Sequence, residues 1–260
     1  MITSAKRIAC VIPARLQSSR FPRKMLASLL DKPILEWVWT AACKIKRFDD
    51  VVFAIDSDET AELIASFGGR FIMTDPRCVS GTARIIEVMQ SGKVTADIWV
   101  NWQGDEPFIT AAMIDDLLQS CHNEEEGMWT LKKLIEKEEN IFAPNIAKVV
   151  CDARGFAMYF SRSPIPFFRD EKNLDLILKK RVYYKHVGIY AFTTATLQKI
   201  ATLGFSSLED AEKLEQLNFL ENNIPIRIHE TQQEVIGIDT TDDLRRAEAY
   251  AATLGLNPGL

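Results

Sequence analysis

The chain has 260 residues, of which 47% are apolar and 26% charged, and a formal net charge of -5. That composition excludes a disordered or fibrous protein and argues against a general nucleic-acid binder, whose surface must be basic to neutralise phosphates. Cys10, Cys43, Cys78, Cys121 and Cys151 lack the short spacing of a zinc site or redox pair. No apolar run approaches the roughly 18 residues of a membrane span, and the N-terminus lacks a signal-like apolar core, so a cytoplasmic protein is expected.

The apolar run over residues 8 to 14 predicts a first strand. It empties into Pro13-Ala14-Arg15-Leu16-Gln17-Ser18-Ser19-Arg20-Phe21-Pro22-Arg23-Lys24, a loop with four cations and two hydroxyls. Guanidinium forks can grip two oxygens at once, so this loop suits a polyanion such as a triphosphate; a solvated basic loop is the alternative. A helix is expected over about 33–46, a strand over 51–55, and a helix over about 59–67 that Gly68-Gly69 stops. Residues 71–73 form a short strand, and Ser80-Gly81-Thr82 opens a helix reaching residue 89. A strand at 97–102 runs into the turn Gln103-Gly104-Asp105-Glu106-Pro107 and a helix over about 110–121. This rhythm of βα units predicts an α/β fold with a mostly parallel central sheet.

Beyond residue 125 the pattern changes. Strands at 129–131, 147–151, 157–160 and 186–192 are not each followed by a helix, which predicts a smaller antiparallel β insert at about 125–193 within one body. Helices over about 194–203 and 209–221, strands at 224–228 and 235–238, and a helix over about 241–254 complete the chain.

Ligands of an open parallel sheet gather at the carboxyl ends of its strands. The basic loop, Ser80-Gly81-Thr82, Asp105 and Asp239 all fall there. Two acids at separate strand ends suit one magnesium ion shared with phosphate oxygens, so Asp105 and Asp239 are the expected metal pair. For Asp239 a helix cap in Asp239-Thr240-Thr241-Asp242 is the alternative. Neither a G-x-x-x-x-G-K-[ST] loop nor a G-x-G-x-x-G turn occurs. The phosphates must therefore rely on side-chain cations, Arg15, Arg20 and Lys24, with a few backbone amides.

Further stretches extend the pattern: Phe67-Gly68-Gly69, Met73-Thr74, Asn101 with Gln103-Gly104-Asp105-Glu106-Pro107, Tyr159-Phe160-Ser161-Arg162-Ser163-Pro164-Ile165-Pro166, Tyr184-Lys185-His186-Val187-Gly188-Ile189-Tyr190-Ala191, Leu214-Glu215-Gln216-Leu217 and Ile238-Asp239-Thr240. Together with the basic loop and Ser80-Gly81-Thr82, they make the chain similar, over nearly its whole length, to the 3-deoxy-manno-octulosonate (Kdo) cytidylyltransferases of lipopolysaccharide assembly.

The resemblance implies a single domain of Rossmann-like nucleotidyltransferase fold, with helices on both faces of the sheet and an insert serving sugar binding and dimerisation. It implies transfer of the cytidylyl group of CTP to the anomeric hydroxyl of Kdo, with release of pyrophosphate. Arg15, Lys24, Asp105 and Asp239 would be catalytic, the two acids holding Mg2+. Ala14, Arg15, Ser19, Arg20, Lys24, Met73, Thr74, Ser80, Gly81 and Thr82 would bind CTP. Gln103, Arg162, Tyr184, His186, Glu215 and Gln216 would bind the sugar acid, with Arg162 on its carboxylate. For Ser80 or Thr82 a helix cap is the alternative, and for His186 a satisfied structural role. A homodimer with no nucleic-acid partner and no membrane insertion is implied. A related 2-keto sugar acid as acceptor, such as 8-amino-Kdo or a nonulosonate, and a non-catalytic paralogue are the alternatives.

The chain departs from the family's pattern in five places. Arg23 and Met25 stand in a usual Pro-Gly-Lys-Pro, Ala83 replaces an acid after Ser-Gly-Thr, Asn218 replaces an Arg, 75–79 lacks a His, and Trp102 replaces a smaller aliphatic residue. From these we expect a backbone position at Arg23 deprived of glycine's freedom, an Arg84 without its neighbouring counter-charge, and a Trp102 whose bulk falls at the rim of the site.

Overall fold

The computed structural model describes residues 6–16, 21, 23–123 and 126–256. In chain order, β1 (Ile8–Ala14) leads through a 3-10 turn, Lys24–Leu26, into β2 (Ser28–Leu29), β3 (Lys32–Pro33) and α1 (Ile34–Cys43). Next come β4 (Asp50–Ile55), α2 (Asp58–Ser66), β5 (Phe71–Met73), α3 (Gly81–Gln90), β6 (Ile98–Asn101) and α4 (Ala111–Leu117). The middle of the chain forms β7 (Met128–Leu134), α5 (Glu138–Phe142), β8 (Lys148–Cys151), β9 (Ala157–Ser161), α6 (Leu174–Lys179), β10 (Tyr184–Thr193), α7 (Thr194–Ile200), α8 (Ser207–Glu212) and α9 (Gln216–Glu221). β11 (Arg227–Glu230) and α10 (Thr241–Thr253) follow.

The chain divides into two compact units, residues 1–114 with 234–260, and residues 115–233. In the first, β6, β1, β4 and β5 lie side by side, all parallel, with Ala14 of β1 opposite Ile55 of β4 and Val11 opposite Asn101. All seven residues of β1 are buried, the continuous apolar pattern of a strand covered on both faces. The connecting helices begin at side-chain caps: Ser57 accepts from the Thr60 amide and Ser80 from the Ala83 amide. α10 packs Ala247 and Ala251 into a cluster with Leu29, Ile34, Phe108 and Ile238. Each large apolar side chain buried there stabilises the fold by about 1.5–3 kcal/mol. This docking brings residue 239 beside the ends of β1 and β6.

In the second unit β7 pairs antiparallel with β10 and parallel with β11, while β8 pairs antiparallel with β10 and β9. Trp129, Phe160 and Phe192 are among its fully buried side chains. A smaller cluster of Ile135, Ile141, Ile177 and Tyr183 fastens α5 and α6 to it.

Two expectations are corrected, and four short elements appear that were not expected. The stretch 209–221 is two helices, because Lys213 takes the left-handed conformation (φ 52°) and ends α8. Residues 235–238 form no strand; only the Ile238 amide bonds Asp105 O, at 3.0 Å. The short pair β2 and β3, and helices α5 and α6, carried too little periodic signal to be foreseen.

Candidate active site

The carboxyl ends of β1 and β6 open on a cavity of about 200 Å³ in the first unit, lined by Pro13, Arg15, Lys24, Met25, Ser80, Gly81, Arg84, Gln103, Asp105 and Asp239 among others. Its walls approach so closely that a side chain at either of two glycines would press on a neighbour. A Cβ on Gly81 would lie 3.0 Å from Gln103 Nε2 and 3.2 Å from Pro13 Cγ. One on Gly104 would lie 3.0 Å from Pro13 O. Ser-Gly-Thr and Gln-Gly-Asp therefore owe their glycines to the meeting of β1, β6 and α3.

Lys24 is the centre of the cavity's charge. The 3-10 turn buries its side chain, and its ammonium donates to Asp105 Oδ2 at 2.5 Å and to Asp239 Oδ1 at 2.9 Å. Burial works to lower the Lys24 pKa, but the two carboxylates outweigh it and the net shift is upward. Glu106, next to Asp105, is pushed up to about 8, first by burial and then by the charges of Asp105 and Asp239. Its Oε2 is buried with no hydrogen-bond partner among the described residues. Asp239 is not the helix cap. Thr240 is, in a capping box with Asp243, which leaves Asp239 one residue outside the helix and turned to Lys24.

The other residues expected at the nucleotide divide into groups. Ala14 is the buried last residue of β1, and Arg15 follows it into the cavity. Ser80 caps α3 and lines the cavity as well, so the cap does not take it out of the cavity wall. Thr82 is buried on that helix, while Met73 is 43% exposed. The Thr74 hydroxyl is committed to its own surroundings, donating to Ile55 O at 2.9 Å and accepting from Arg84 at 2.6 Å. Ser19 and Arg20 lie outside the described residues.

Of the residues expected to bind the sugar acid, Gln103 lines the cavity and donates to Asn101 Oδ1 at 2.9 Å. The other five belong to the unit 115–233. There Arg162 donates to the carbonyls of Glu212 (2.7 Å), Pro144 (2.9 Å) and Lys213 (3.2 Å), so its guanidinium ties three segments together. His186 Nε2 sits 3.0 Å from Thr130 Oγ1, and burial drives its pKa down to about 3, making it a neutral ring at physiological pH. Gln216 is buried, accepts from the Tyr190 hydroxyl at 3.2 Å and has an Nε2 without a hydrogen-bond partner among the described residues. Tyr184 receives the Lys132 ammonium 4.0 Å from its ring centroid, and Glu215 opens α9 as its N-cap residue.

At four of the departures from the family's pattern the structure shows what the side chain meets. Arg23 does adopt the left-handed conformation (φ 57°) that glycine favours, and its guanidinium pairs with Glu59. Arg84 has not lost its counter-charge: Asp56, at the end of β4, pairs with it at 2.6 Å. Trp102 is not at a rim but wholly buried, its Nε1 donating to Glu106 O at 2.9 Å. Asn218 stands where the family's pattern has a cation, and its amide donates to Gly204 O (3.1 Å) and to the Glu209 carboxylate at Oε2 (2.9 Å). Sequence reasoning missed Asp56 and Glu106 as site residues, though each stands at a strand end where the rule that found Asp105 applies equally.

The Cytidylyltransferase family profile matches residues 9–229. A 3-deoxy-manno-octulosonate cytidylyltransferase of Thermodesulfovibrio yellowstonii is 46% identical over 245 residues, covering 92% of this chain and 96% of the relative. This chain belongs to the 3-deoxy-manno-octulosonate cytidylyltransferase family. A solved structure of CMP:2-keto-3-deoxy-manno-octonic acid synthetase complexed with CTP is 38% identical, covers 95% of this chain and 99% of its own, and superposes with a TM-score of 0.86. The 4-diphosphocytidyl-2C-methyl-D-erythritol synthase of Anaerococcus prevotii, 14% identical over 95% of this chain and 96% of its own, shares the fold with a TM-score of 0.62.

Proposed function

We propose that this chain transfers the cytidylyl group of CTP to the anomeric hydroxyl of 3-deoxy-manno-octulosonate, releasing pyrophosphate, and so prepares the activated sugar for lipopolysaccharide assembly. The observation that carries the reading is the convergence of Lys24 with Asp105 and Asp239 in the cavity that Arg15 lines, at 2.5 and 2.9 Å. In this reading Arg15 and Lys24 bind the β- and γ-phosphates. Lys24 exchanges its two carboxylates for phosphate oxygens when the nucleotide enters. As the sugar hydroxyl gives its proton to water, its oxygen bonds to the α-phosphorus and the bridge to the β-phosphate breaks, negative charge passes to the pyrophosphate, which these fixed cations stabilise.

Two carboxylates that both reach one ammonium also converge closely enough to hold one divalent cation, and an oxygen-only donor set is the kind magnesium takes. Asp105 and Asp239 would hold it, with Glu106, whose pKa is pushed up to about 8, behind them as a neutral carboxyl near pH 7. Bound there, magnesium would supply Lewis-acid stabilisation of the α-phosphate and a lowered pKa for the attacking hydroxyl. Ser80 and Gly81 would meet the nucleotide, and Gln103 an acceptor hydroxyl. Five free cysteines suit a reducing cytoplasm, and the described residues contain no helix long and apolar enough to cross a membrane. A homodimer completes the reading and is tested by light scattering.

Pyrophosphate release with CTP and Kdo, 8-amino-Kdo or sialic acid tests the substrate. Turnover is expected with Kdo, and none with Kdo would sink the assignment. Asp105→Ala should abolish the magnesium-dependent release; a variant that keeps it overturns the metal role.

A further inference from the structure

Behind the phosphate cavity runs a chain of hydrogen bonds that the reaction as described does not use. Arg84, on the first turn of α3 and 2% exposed, donates from Nη1 to Thr74 Oγ1 and from Nη2 to Asp56 Oδ2, each at 2.6 Å. Thr74 is anchored in turn to Ile55 O through its hydroxyl at 2.9 Å and its amide at 2.7 Å. The other Asp56 oxygen accepts from the Leu16 amide at 3.0 Å. One ion pair thus laces together the chain leaving β1, β4 and β5, and its last link is the backbone next to Arg15.

A buried ion pair is weak evidence of function by itself, since apolar residues of similar shape often stabilise a fold as well. Two observations set this pair apart. Asp56 divides its oxygens between a guanidinium and the amide of the basic loop, which an apolar replacement cannot do. The pair also faces solvent-accessible space, a cleft of about 330 Å³ that it shares with Arg15, Leu16 and Ser57, and Arg15 and Arg84 line the phosphate cavity as well.

We propose that Asp56 and Arg84 are positioning residues for cytidylyl transfer: by holding the Leu16 amide they fix the backbone from which Arg15 enters the phosphate cavity. This rests on the reading that Arg15 binds the triphosphate. Pre-organising that backbone spares the nucleotide the cost of ordering it on binding.

A double-mutant cycle on the full chain tests the inference. Asp56→Asn, Arg15→Ala and the double variant are compared by melting temperature and by steady-state kinetics with CTP, Kdo and excess magnesium. Asp56→Asn keeps one carbonyl acceptor and cannot serve both partners. It should raise KM for CTP about tenfold, the scale of one lost hydrogen bond to a charged group, while KM for Kdo moves less than about twofold. The double variant should be no worse than Arg15→Ala, since residues acting through one another are not additive. Losses that multiply in the double variant, or an unchanged KM for CTP in Asp56→Asn, overturn the positioning role and leave a structural ion pair. An unchanged KM for CTP in Arg15→Ala identifies the failure as that of the triphosphate reading and overturns the proposal with it. Should Asp56→Asn not fold, Arg84→Lys takes its place under the same criteria, because one ammonium cannot span Thr74 and Asp56 as the guanidinium does.

Discussion

Two buried lysines, one in each unit, show how the same side chain is put to different uses. Lys24 and Lys148 are 5% and 0% exposed. Lys24 meets two carboxylates in an open cavity, and its pKa is raised. Among the described residues Lys148 donates to carbonyl oxygens, those of Ala143 at 3.0 Å, Ile146 at 2.8 Å and Arg162, and its pKa is lowered by burial and by the neighbouring Arg162 charge. Three donors on three carbonyls satisfy an ammonium completely, so Lys148 is a peg joining the segment before β8 to the segment after β9. Lys24 instead holds charges that a ligand can take over. Burial is common to both; the nature of the partners distinguishes them.

The contrast can be broken by substitution. Lys24→Met should lower kcat/KM for CTP by roughly 100-fold or more, the loss expected when a fixed charge is removed from the transition state, with little change in melting temperature. Lys148→Met should do the reverse. It strands three carbonyls and should cost about 2–4 kcal/mol of stability, visible in denaturant titration, while the folded fraction keeps its KM for CTP. Equal kinetic losses in the two variants would erase the distinction.

Acid sharpens the comparison further. The unit with Lys148 also holds the half-buried His186 and the buried His229, whose pKa values are lowered to about 3 and about 4, first by removal of the ring from water in both cases. An unfolded histidine binds its proton near pH 6.5, so the unfolded state carries the extra protons between that pH and the folded values. Stability should be full above pH 6.5 and fall as the pH drops, by about 2 kcal/mol per histidine at pH 5. Hydrogen exchange should show residues 115–233 opening first; unchanged stability between pH 7 and pH 5 would contradict their burial as neutral rings. The smallest effect is expected at α10, where Thr240→Ala removes the cap beside Asp239 and should cost about 1 kcal/mol. Its KM for CTP should stay within about twofold of the wild type if Asp239 is held mainly by the packing of Ile238.

The alternation of apolar runs with amphipathic segments, and the caps at Ser57 and Ser80, were readable along the chain because each depends on residues a few positions apart. The same local logic pointed to Arg15, Lys24 and Asp105 after strands β1 and β6, where a parallel sheet gathers its ligands, whereas Asp239 follows a stretch that forms no strand and reaches Lys24 through the tertiary fold. It failed where the backbone defied its residue type, as when left-handed Lys213 split a single amphipathic stretch into α8 and α9. It failed also where a partner lay far away. The ion pair of Arg84 with Asp56 spans 28 positions, and no local pattern announces it.

Thus the sequence by itself determined the α/β class, the basic loop and the pair of acids, because period, capping and charge are local properties. Only the tertiary structure decided that Lys24 stands between those acids, that Trp102 is interior, and that Arg84 is matched by Asp56. Those facts depend on how the sheet brings distant strand ends together, and on a burial that makes each unpaired charge too costly to leave alone.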